Sequence, residues 1–354
     1  MLYQTENQHG GDVYGGGITL DFSANTNPLG TPPGVLEAVC RALPRLHRYP
    51  DPYCRRLVQA IAGHEQVPAS YILCGNGAAD LIYTYCAALR PRTAVELAPT
   101  FVEYGAGLAQ VGCHVERYFL HQAQNFDLDE RFLSFLEEKK PEVVFLCNPN
   151  NPTGRLIPLP LLEQILQYCA AQGARLFLDE CFLDLTEDGV SAKSLLAAHP
   201  ELLILKAFTK SYGMAGIRLG YCLCADNALL RRMAAASPPW NVSTPAQSAG
   251  VAALAERDFL QRTLSLVRTE RRWLTDNLTA LGFWVCPSHA NYLLFRGPLG
   301  LREGLLQQGI AIRGCGNYNG LGDGWYRIAV RPHGENEALI TAIRQFCKEK
   351  SLWQ

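Results

Sequence analysis

The sequence predicts an α/β fold in which helices cover a mainly parallel sheet. Between about residues 70 and 235, short apolar segments alternate with longer amphipathic ones. The apolar segments have the length of buried strands and lie at 71–74, 142–147, 175–178 and 202–205. The amphipathic segments have the length of helices, as at 78–89 and at 158–171, where prolines open the segment. Such alternation is typical of parallel strands joined by helices.

The rest of the chain predicts a second, smaller domain. Its pattern indicates one long amphipathic helix, two alternating segments and a closing helix, at 245–281, 291–295, 325–330 and 335–349. We therefore expect three parts: an N-terminal arm that covers the active site, a large domain and a small α+β domain, at 1–35, 36–240 and 241–354.

Composition limits the range of functions and partners. The chain has 32 Lys and Arg against 33 Asp and Glu, so no overall charge favours nucleic acid or an anionic membrane. The N-terminal residues are polar, and nowhere do about 18 apolar residues run together, so we expect a cytoplasmic protein. Most of the 13 cysteines should be small buried hydrophobes. Cys222 and Cys224 lack a second pair at metal-ligand spacing, so no metal is expected.

Candidate site residues follow the predicted strands, because ligands of open α/β sheets bind beyond the carboxyl ends of the strands. The segment 75–80, Gly-Asn-Gly-Ala-Ala-Asp, runs into a helix and could present backbone N–H groups to a phosphate. It could equally be an ordinary tight turn. The segment 148–154, Asn-Pro-Asn-Asn-Pro-Thr-Gly, is dense in turn-forming residues and predicts a fixed loop.

Two further strand ends carry ionisable residues. Asp179 follows the strand at 175–178, where a carboxylate could hold a proton on a ring nitrogen, although an isolated Asp is more often a cap or a surface acid. Lys210 follows the strand at 202–205 within an apolar stretch. A lysine there is costly unless its amine is neutral or covalently engaged, as in a Schiff base. The alternative is a lysine that extends its amine to the surface.

Together, in this order, the four segments resemble the aminotransferase family of fold-type I pyridoxal-phosphate enzymes, from about residue 20 to 345. The resemblance implies an aspartate aminotransferase-like fold with pyridoxal 5′-phosphate as cofactor. Lys210 would form the Schiff base, Asp179 would bind the pyridinium nitrogen and Asn151 the ring oxygen O3′. The residues implied for stacking on the ring and for holding the phosphate are Phe101, and Ala78, Ala79, Thr209 and Arg218.

The resemblance also implies a homodimer and contains two departures. Tyr49 matches a family tyrosine that reaches the cofactor phosphate of the neighbouring subunit. Phe182 stands three residues after the aspartate, where the family usually has a tyrosine whose phenol binds O3′. Ala207 stands where a hydroxyl residue is common, three positions before the lysine. These two replacements each remove one expected contact to the cofactor.

Arginines near the C-terminus predict an anionic substrate. Arg327 and Arg331 would share one face of a strand, because positions i and i+4 align in extended chain. Arg327 matches the family arginine that binds the substrate carboxylate, and Arg313 adds a third cation. Several arginines in one site indicate a dianionic group such as a phosphate. Arg331 could equally lie on the wet face of an edge strand.

The N-terminal segment narrows the resemblance to one branch of the family. His9 and Gly10 could fold over an anion or belong to a free tail. With 21–30, 238–242 and the arginine strand, they resemble the branch that decarboxylates O-phospho-L-threonine, or O-phosphoserine, to 1-aminopropan-2-yl phosphate for cobalamin biosynthesis. Phe182 also fits this branch. The implied substrate contacts are His9, Gly10, Asn25, Asn151, Arg313 and Arg327.

Two other functions stay open at this stage. A histidinol-phosphate or aromatic amino acid aminotransferase would use the same residues but break the Cα–H bond. A pyridoxal-phosphate regulator of transcription would need a basic DNA-binding module at the N-terminus, which the sequence does not contain. Phosphothreonine and phosphoserine differ by one methyl group, worth only about 1–3 kcal/mol in a fitted pocket.

Overall fold

The computed structural model describes residues 9–350. The strands are β1 (Leu20–Asp21), β2 (Ile72–Gly75), β3 (Thr93–Ala98), β4 (His114–Phe119), β5 (Val143–Cys147), β6 (Arg175–Asp179), β7 (Leu202–Ala207), β8 (Gly220–Cys224), β9 (Trp284–Val285), β10 (Tyr292–Arg296), β11 (Ile310–Ala311), β12 (Arg313–Gly314) and β13 (Trp325–Ala329). The α-helices are α1 (Pro33–Ala42), α2 (Arg55–Glu65), α3 (Ala78–Leu89), α4 (Glu103–Gln110), α5 (Arg131–Lys139), α6 (Leu159–Gln172), α7 (Phe208–Ser211), α8 (Asn227–Ala236), α9 (Thr244–Ala253), α10 (Phe259–Ala280), α11 (Leu301–Leu306) and α12 (His333–Glu349).

The main sheet has seven strands in the order β2-β8-β7-β6-β5-β3-β4. The pairings from β7 through β6, β5 and β3 to β4 are parallel, whereas β8 runs antiparallel to both β7 and β2. The predicted mainly parallel sheet is therefore confirmed. Strands β5 and β7 are buried along their whole length, which explains why they read as continuous apolar segments.

Side chains alternate between the two faces of this sheet and form two separate apolar layers. Phe145, Phe177 and Leu205 belong to one layer. Leu146 and Ile204 belong to the layer on the other face. The side chains of consecutive polar residues at the strand ends therefore point to opposite faces of the sheet.

The prediction of a single long helix at 245–281 is wrong. The structure has α9 and α10 instead, separated by a turn over residues 254–258. The two halves bury their apolar faces against different partners, because α9 packs on α1 and α2 whereas α10 packs on α12, β9 and β10. Strand β7 extends two residues beyond the predicted segment, because Lys206 and Ala207 still pair with β8.

The C-terminal part contains a second, antiparallel sheet in the order β12-β13-β10-β9. The N-terminal segment is attached to this part, since β1 pairs in parallel with β11 and the backbone N–H of Ala329 donates to the carbonyl of Phe22 at 2.8 Å. Residues 1–8 of the predicted arm and 351–354 of the predicted small domain lie outside the described residues. The three-part domain division stays a prediction.

Residues 9–350 contain neither a membrane-spanning helix nor a cluster of metal-ligating side chains. No helix in this range is long and apolar enough to cross a membrane. The same range contains no group of three or more His, Cys, Asp or Glu residues placed to hold a metal ion. Cys222 and Cys224 are buried in β8.

Candidate active site

One cavity of about 220 Å³ collects the strand-end residues. It lies where β5, β6 and β7 end and where the N-terminal segment approaches β12 and β13. Thirteen of the fourteen predicted site residues line it: His9, Gly10, Asn25, Ala78, Ala79, Phe101, Asn151, Asp179, Thr209, Lys210, Arg218, Arg313 and Arg327. The exception is Tyr49.

Lys210 lies in the single-turn helix α7, which directly follows β7. Its Nζ is 5.5 Å from the centre of the Phe182 ring, which offers no hydroxyl group. Burial, together with the positive charges of Arg327 and Arg218, lowers the pKa of Lys210 from its ordinary value of 10.5 to about 8, while Asp179 opposes this shift. Near neutral pH a minor fraction of this amine is therefore neutral, and so nucleophilic.

Asp179 ends β6 and is buried on the cavity side of the sheet. Its Oδ2 accepts a hydrogen bond from the Tyr104 hydroxyl at 2.6 Å, and its Oδ1 accepts one from the backbone N–H of Cys181 at 2.8 Å. Burial raises the pKa of Asp179, although these two hydrogen bonds and Lys210 favour the charged form. A protonated ring nitrogen would supply the cation that a buried carboxylate requires.

The start of α3 forms a cradle for an anion. Gly77 immediately precedes the helix with φ of 89°, so Ala78 and Ala79 occupy its first turn, where backbone N–H groups have no partner within the helix. A Cβ on Gly77 would lie 2.8 Å from Nη2 of Arg218, so only glycine lets this guanidinium approach the loop. Thr209 completes the same side of the cavity. The N–H groups, a hydroxyl and a guanidinium together suit a phosphate.

A second anion site lies between two arginines. Arg313 and Arg327 are direct partners across β12 and β13, an arrangement of like charges that is unfavourable unless an anion lies beside them. The Arg327 guanidinium donates to the Asn151 side-chain oxygen and to the carbonyl of Ser23, the latter at 3.0 Å. Its Nε is buried with no hydrogen-bond partner among the described residues. Arg313 donates to Oδ1 of Asn317 at 2.8 Å.

Asn25 provides independent evidence for a ligand. Only 1% of its surface is exposed, yet neither its side-chain oxygen nor its side-chain nitrogen has a hydrogen-bond partner within residues 9–350. Buried amides are rarely left unsatisfied, so a bound molecule is expected to complete these bonds. His9 lies at the same end of the cavity, and its Nε2 is 2.8 Å from Oε1 of Glu103 on α4.

The cavity also contains residues that sequence analysis missed. These are Ser23, Cys147, Cys181 and Tyr318, with Tyr104 behind Asp179. Ser23 stands two residues before Asn25, so the spacing of that segment could have indicated it. Nothing in the sequence pattern indicates Tyr104, because its role depends on how α4 packs against the end of β6.

Two residues that the sequence singled out, Arg331 and Tyr49, do not line the cavity. Arg331 lies beyond the end of β13 and does not line the cavity, and its Nε donates to Glu335 on α12 at 2.9 Å. Tyr49 is 79% exposed, and its ring stacks on that of Trp240 with a centre-to-centre distance of 4.4 Å. Within one chain, Tyr49 therefore does not contribute to this cavity.

The chain is similar to known proteins in sequence and in fold. The family model for aminotransferase class I and II matches residues 18–346. The chain is 41% identical to threonine-phosphate decarboxylase of Salmonella typhimurium over 331 residues, covering 92% of this chain and 90% of that protein. Histidinol-phosphate aminotransferase from Clostridium acetobutylicum has a similar structure, with a TM-score of 0.87 and 28% identity over 93% of this chain and 99% of that one.

The structure is also similar to that of a decarboxylase. The structure of L-threonine-O-3-phosphate decarboxylase from Porphyromonas gingivalis has a TM-score of 0.83 and 25% identity, covering 93% of this chain and 99% of that one. The fold expected from the sequence resemblance is thus confirmed. Because the family model spans most of its length, the chain belongs to the class I and II aminotransferase family.

Proposed function

We propose that this protein is a pyridoxal-phosphate-dependent carboxy-lyase that converts O-phospho-L-threonine to 1-aminopropan-2-yl phosphate for cobalamin biosynthesis. The observation that carries the proposal is the opposed pair Arg313 and Arg327 in the same cavity as Lys210. Two guanidinium groups there match a substrate with both a carboxylate and a phosphate. The likeness to the Salmonella decarboxylase over 92% of the chain supports the choice of reaction.

The side chains of the cavity fit pyridoxal phosphate. The α3 cradle with Arg218 suits its phosphate, Asp179 suits its ring nitrogen and the Lys210 amine suits its aldehyde. The Asn151 oxygen already accepts from Arg327, so its amide nitrogen is the end that can donate to O3′. When bound, the cofactor supplies an aldehyde that links to the substrate amine and a ring that accepts the electron pair of a broken Cα bond.

The protein's own side chains would bind and orient the substrate and return a proton to it. Arg327 would hold the substrate carboxylate, and Arg313 with His9 and the Asn25 amide would hold the phosphate. These contacts set the angle of the Cα substituents relative to the ring. After CO₂ leaves, the Lys210 amine, in its protonated form, would return a proton to Cα. Asp179, whose carboxylate accepts hydrogen bonds from Tyr104 and Cys181, would hold a proton on the ring nitrogen.

A second candidate is an aminotransferase for histidinol phosphate or an aromatic amino acid. The structural likeness to the Clostridium histidinol-phosphate aminotransferase favours it, and it needs the same cofactor and phosphate contacts. It would break the Cα–H bond instead of the bond to the carboxylate, and it would need a keto acid to accept the amino group. Phe182 argues against it, because the family tyrosine at this position is replaced by a ring without a donor.

The proposal includes a homodimer in which Tyr49 reaches the cofactor phosphate of the neighbouring subunit. Six exposed large apolar residues lie between 29 and 53, and Trp240 joins them by stacking on Tyr49. An exposed apolar surface of this kind is typical of an interface. We also propose a cytoplasmic location, which is supported by the absence of a disulfide among the 13 cysteines.

The deciding experiment incubates purified holoenzyme with O-phospho-L-threonine and no keto acid. We expect CO₂ and 1-aminopropan-2-yl phosphate in equal amounts over many turnovers. The parallel incubation contains histidinol phosphate and 2-oxoglutarate, and a Lys210→Ala variant controls for reaction outside the cavity. Glutamate formation without CO₂ release would favour the aminotransferase and reject the decarboxylase.

A further inference from the structure

A cluster of buried charges lies on the face of the main sheet opposite to the cavity. Lys206 of β7 donates from Nζ to Glu65 Oε1 at 3.1 Å and to Asp184 Oδ1 at 3.0 Å. Glu65 also accepts from Lys193 at 2.8 Å and from the Tyr221 hydroxyl. Because faces alternate along a strand, Lys206 points away from the layer that contains Ala207 and the cavity.

Lys206 and Glu65 hold each other in their ionised forms. Burial alone would lower the pKa of Lys206, but the carboxylates of Asp184 and Glu65 outweigh burial and raise it. The pKa of Glu65 is lowered to about 2, because Lys206 and Lys193 outweigh the opposite effect of burial. Buried ion pairs are poor sources of stability compared with an apolar core, so their presence here calls for a role other than packing.

The cluster connects directly to the helix that carries Lys210. The Ser211 hydroxyl donates to Asp184 Oδ2 at 3.0 Å, and Lys206 stands four residues before Lys210 in the same continuous segment. The same residue is also held through its backbone, because the Asn27 amide donates to the carbonyl of Ser211 at 2.7 Å. A helix of four residues has almost no stability of its own, so such external bonds determine its position.

We propose that Asp184 and Ser211 are positioning residues that, anchored on Lys206 and Glu65, set the orientation of α7 and hence of the Lys210 amine relative to the cofactor and Cα. The inference rests on the proposed function in one respect, namely that Lys210 is the residue that binds the cofactor. Asp184 and Ser211 do not line the cavity, so they act on the reaction only through Lys210.

The test compares two serine-to-alanine variants of the holoenzyme. Ser211→Ala removes the bond between the cluster and α7 but leaves the bonds from Lys206 to Asp184 and Glu65 intact. Ser191→Ala is the matched control, because its hydroxyl donates at 2.6 Å to Glu180, a carboxylate that lies near Lys206, without contacting α7. Replacing Lys206 or Asp184 would be less informative, since either change removes one partner of a buried charge and endangers folding.

We expect Ser211→Ala to lower kcat at least about tenfold while KM changes less than about twofold, because a small displacement of the amine affects the chemical step more than binding. The ratio of the two absorbance bands of the bound cofactor should also change at fixed pH. Ser191→Ala should leave both quantities near those of the unaltered protein, even if it lowers the unfolding temperature.

The outcomes separate this inference from the proposed function. Borohydride reduction of the holoenzyme, followed by peptide mass spectrometry, locates the bound cofactor. A cofactor attached to a residue other than Lys210 would overturn both proposals. A cofactor attached to Lys210, with the two serine variants alike in kcat and absorbance, would overturn only the positioning role of Ser211 and Asp184.

Discussion

Replacing Arg327 by methionine tests the electrostatics of the Lys210 amine. Burial is the largest cause of the low pKa of Lys210, and the Arg327 charge is the next. The substitution removes a positive charge that disfavours the ammonium form and leaves burial in place. The pKa should therefore rise towards, but not reach, the ordinary value of 10.5.

The magnitude follows from the fraction of neutral amine. With a pKa of about 8, roughly a tenth of the Lys210 amine is neutral at pH 7. A nearby like charge typically changes a pKa by about one unit or more, so its removal should reduce that fraction about tenfold. Only the neutral amine attacks an aldehyde, so the capture of pyridoxal phosphate by cofactor-free protein should slow equally at that pH.

The assay follows the rate of this capture by absorbance across a pH series. In the variant, we expect the midpoint of the rate profile to move upward by about one pH unit. Arg313→Met is the matched control, because Arg313 lies in the same cavity but is not among the charges that principally lower this pKa. An unchanged or lower midpoint in Arg327→Met, or an equal shift in both variants, would refute the reasoning.

Three further predictions concern Gly77, Tyr104 and Arg313. Gly77→Ala should weaken pyridoxal phosphate binding at least about tenfold in equilibrium titrations, because the new Cβ meets Arg218 and φ of 89° is strained for alanine; unchanged affinity would contradict this. Tyr104→Phe should raise the pKa of Asp179 and move the acidic limb of the kcat profile upward by about one pH unit, whereas an unmoved limb would separate Asp179 from the reaction. Arg313→Lys should raise KM for O-phospho-L-threonine about tenfold or more in steady-state kinetics, since lysine cannot form a bidentate pair, and an unaltered KM would place the phosphate elsewhere.

The parts of the fold that could be predicted are those governed by local pattern. Strands β5 and β6 begin and end within one residue of the apolar segments. Parallel strands that are buried on both faces are apolar along their whole length, so the apolar segment and the strand coincide. The division into α9 and α10 could not be predicted. An amphipathic pattern records that a face is buried but not which partner buries it, and here the partner changes at residues 254–258.

The same distinction applies to the candidate site. Thirteen predicted residues meet in one cavity. Those that follow β3, β5, β6 and β7 meet because parallel strands bring their carboxyl ends to one edge of the sheet, whereas Asn25, Arg313 and Arg327 belong to the N-terminal segment and the second sheet. Tyr104 and Tyr318 were missed, since each reaches the site from an element whose position depends on tertiary packing. Arg331 was left open, because its spacing aligns it with Arg327 on one face of a strand but it could equally lie on the wet face of an edge strand. The structure ends β13 at Ala329, and the alternation that would have aligned the two arginines ends there.

The choice between decarboxylation and transamination is not decided by the presence of the anion contacts. Both reactions need a phosphate site, and the Arg313 and Arg327 pair would serve either one. What separates them is the angle of Cα to the ring and the place from which a proton returns. The second of these depends on α7, a single turn in which Ser211 is bound through its hydroxyl by Asp184 and through its backbone carbonyl by Asn27. Residues that never touch the substrate can therefore influence which bond of Cα is broken and repaired, and for that reason a motif centred on Lys210 specifies the cofactor more firmly than the reaction.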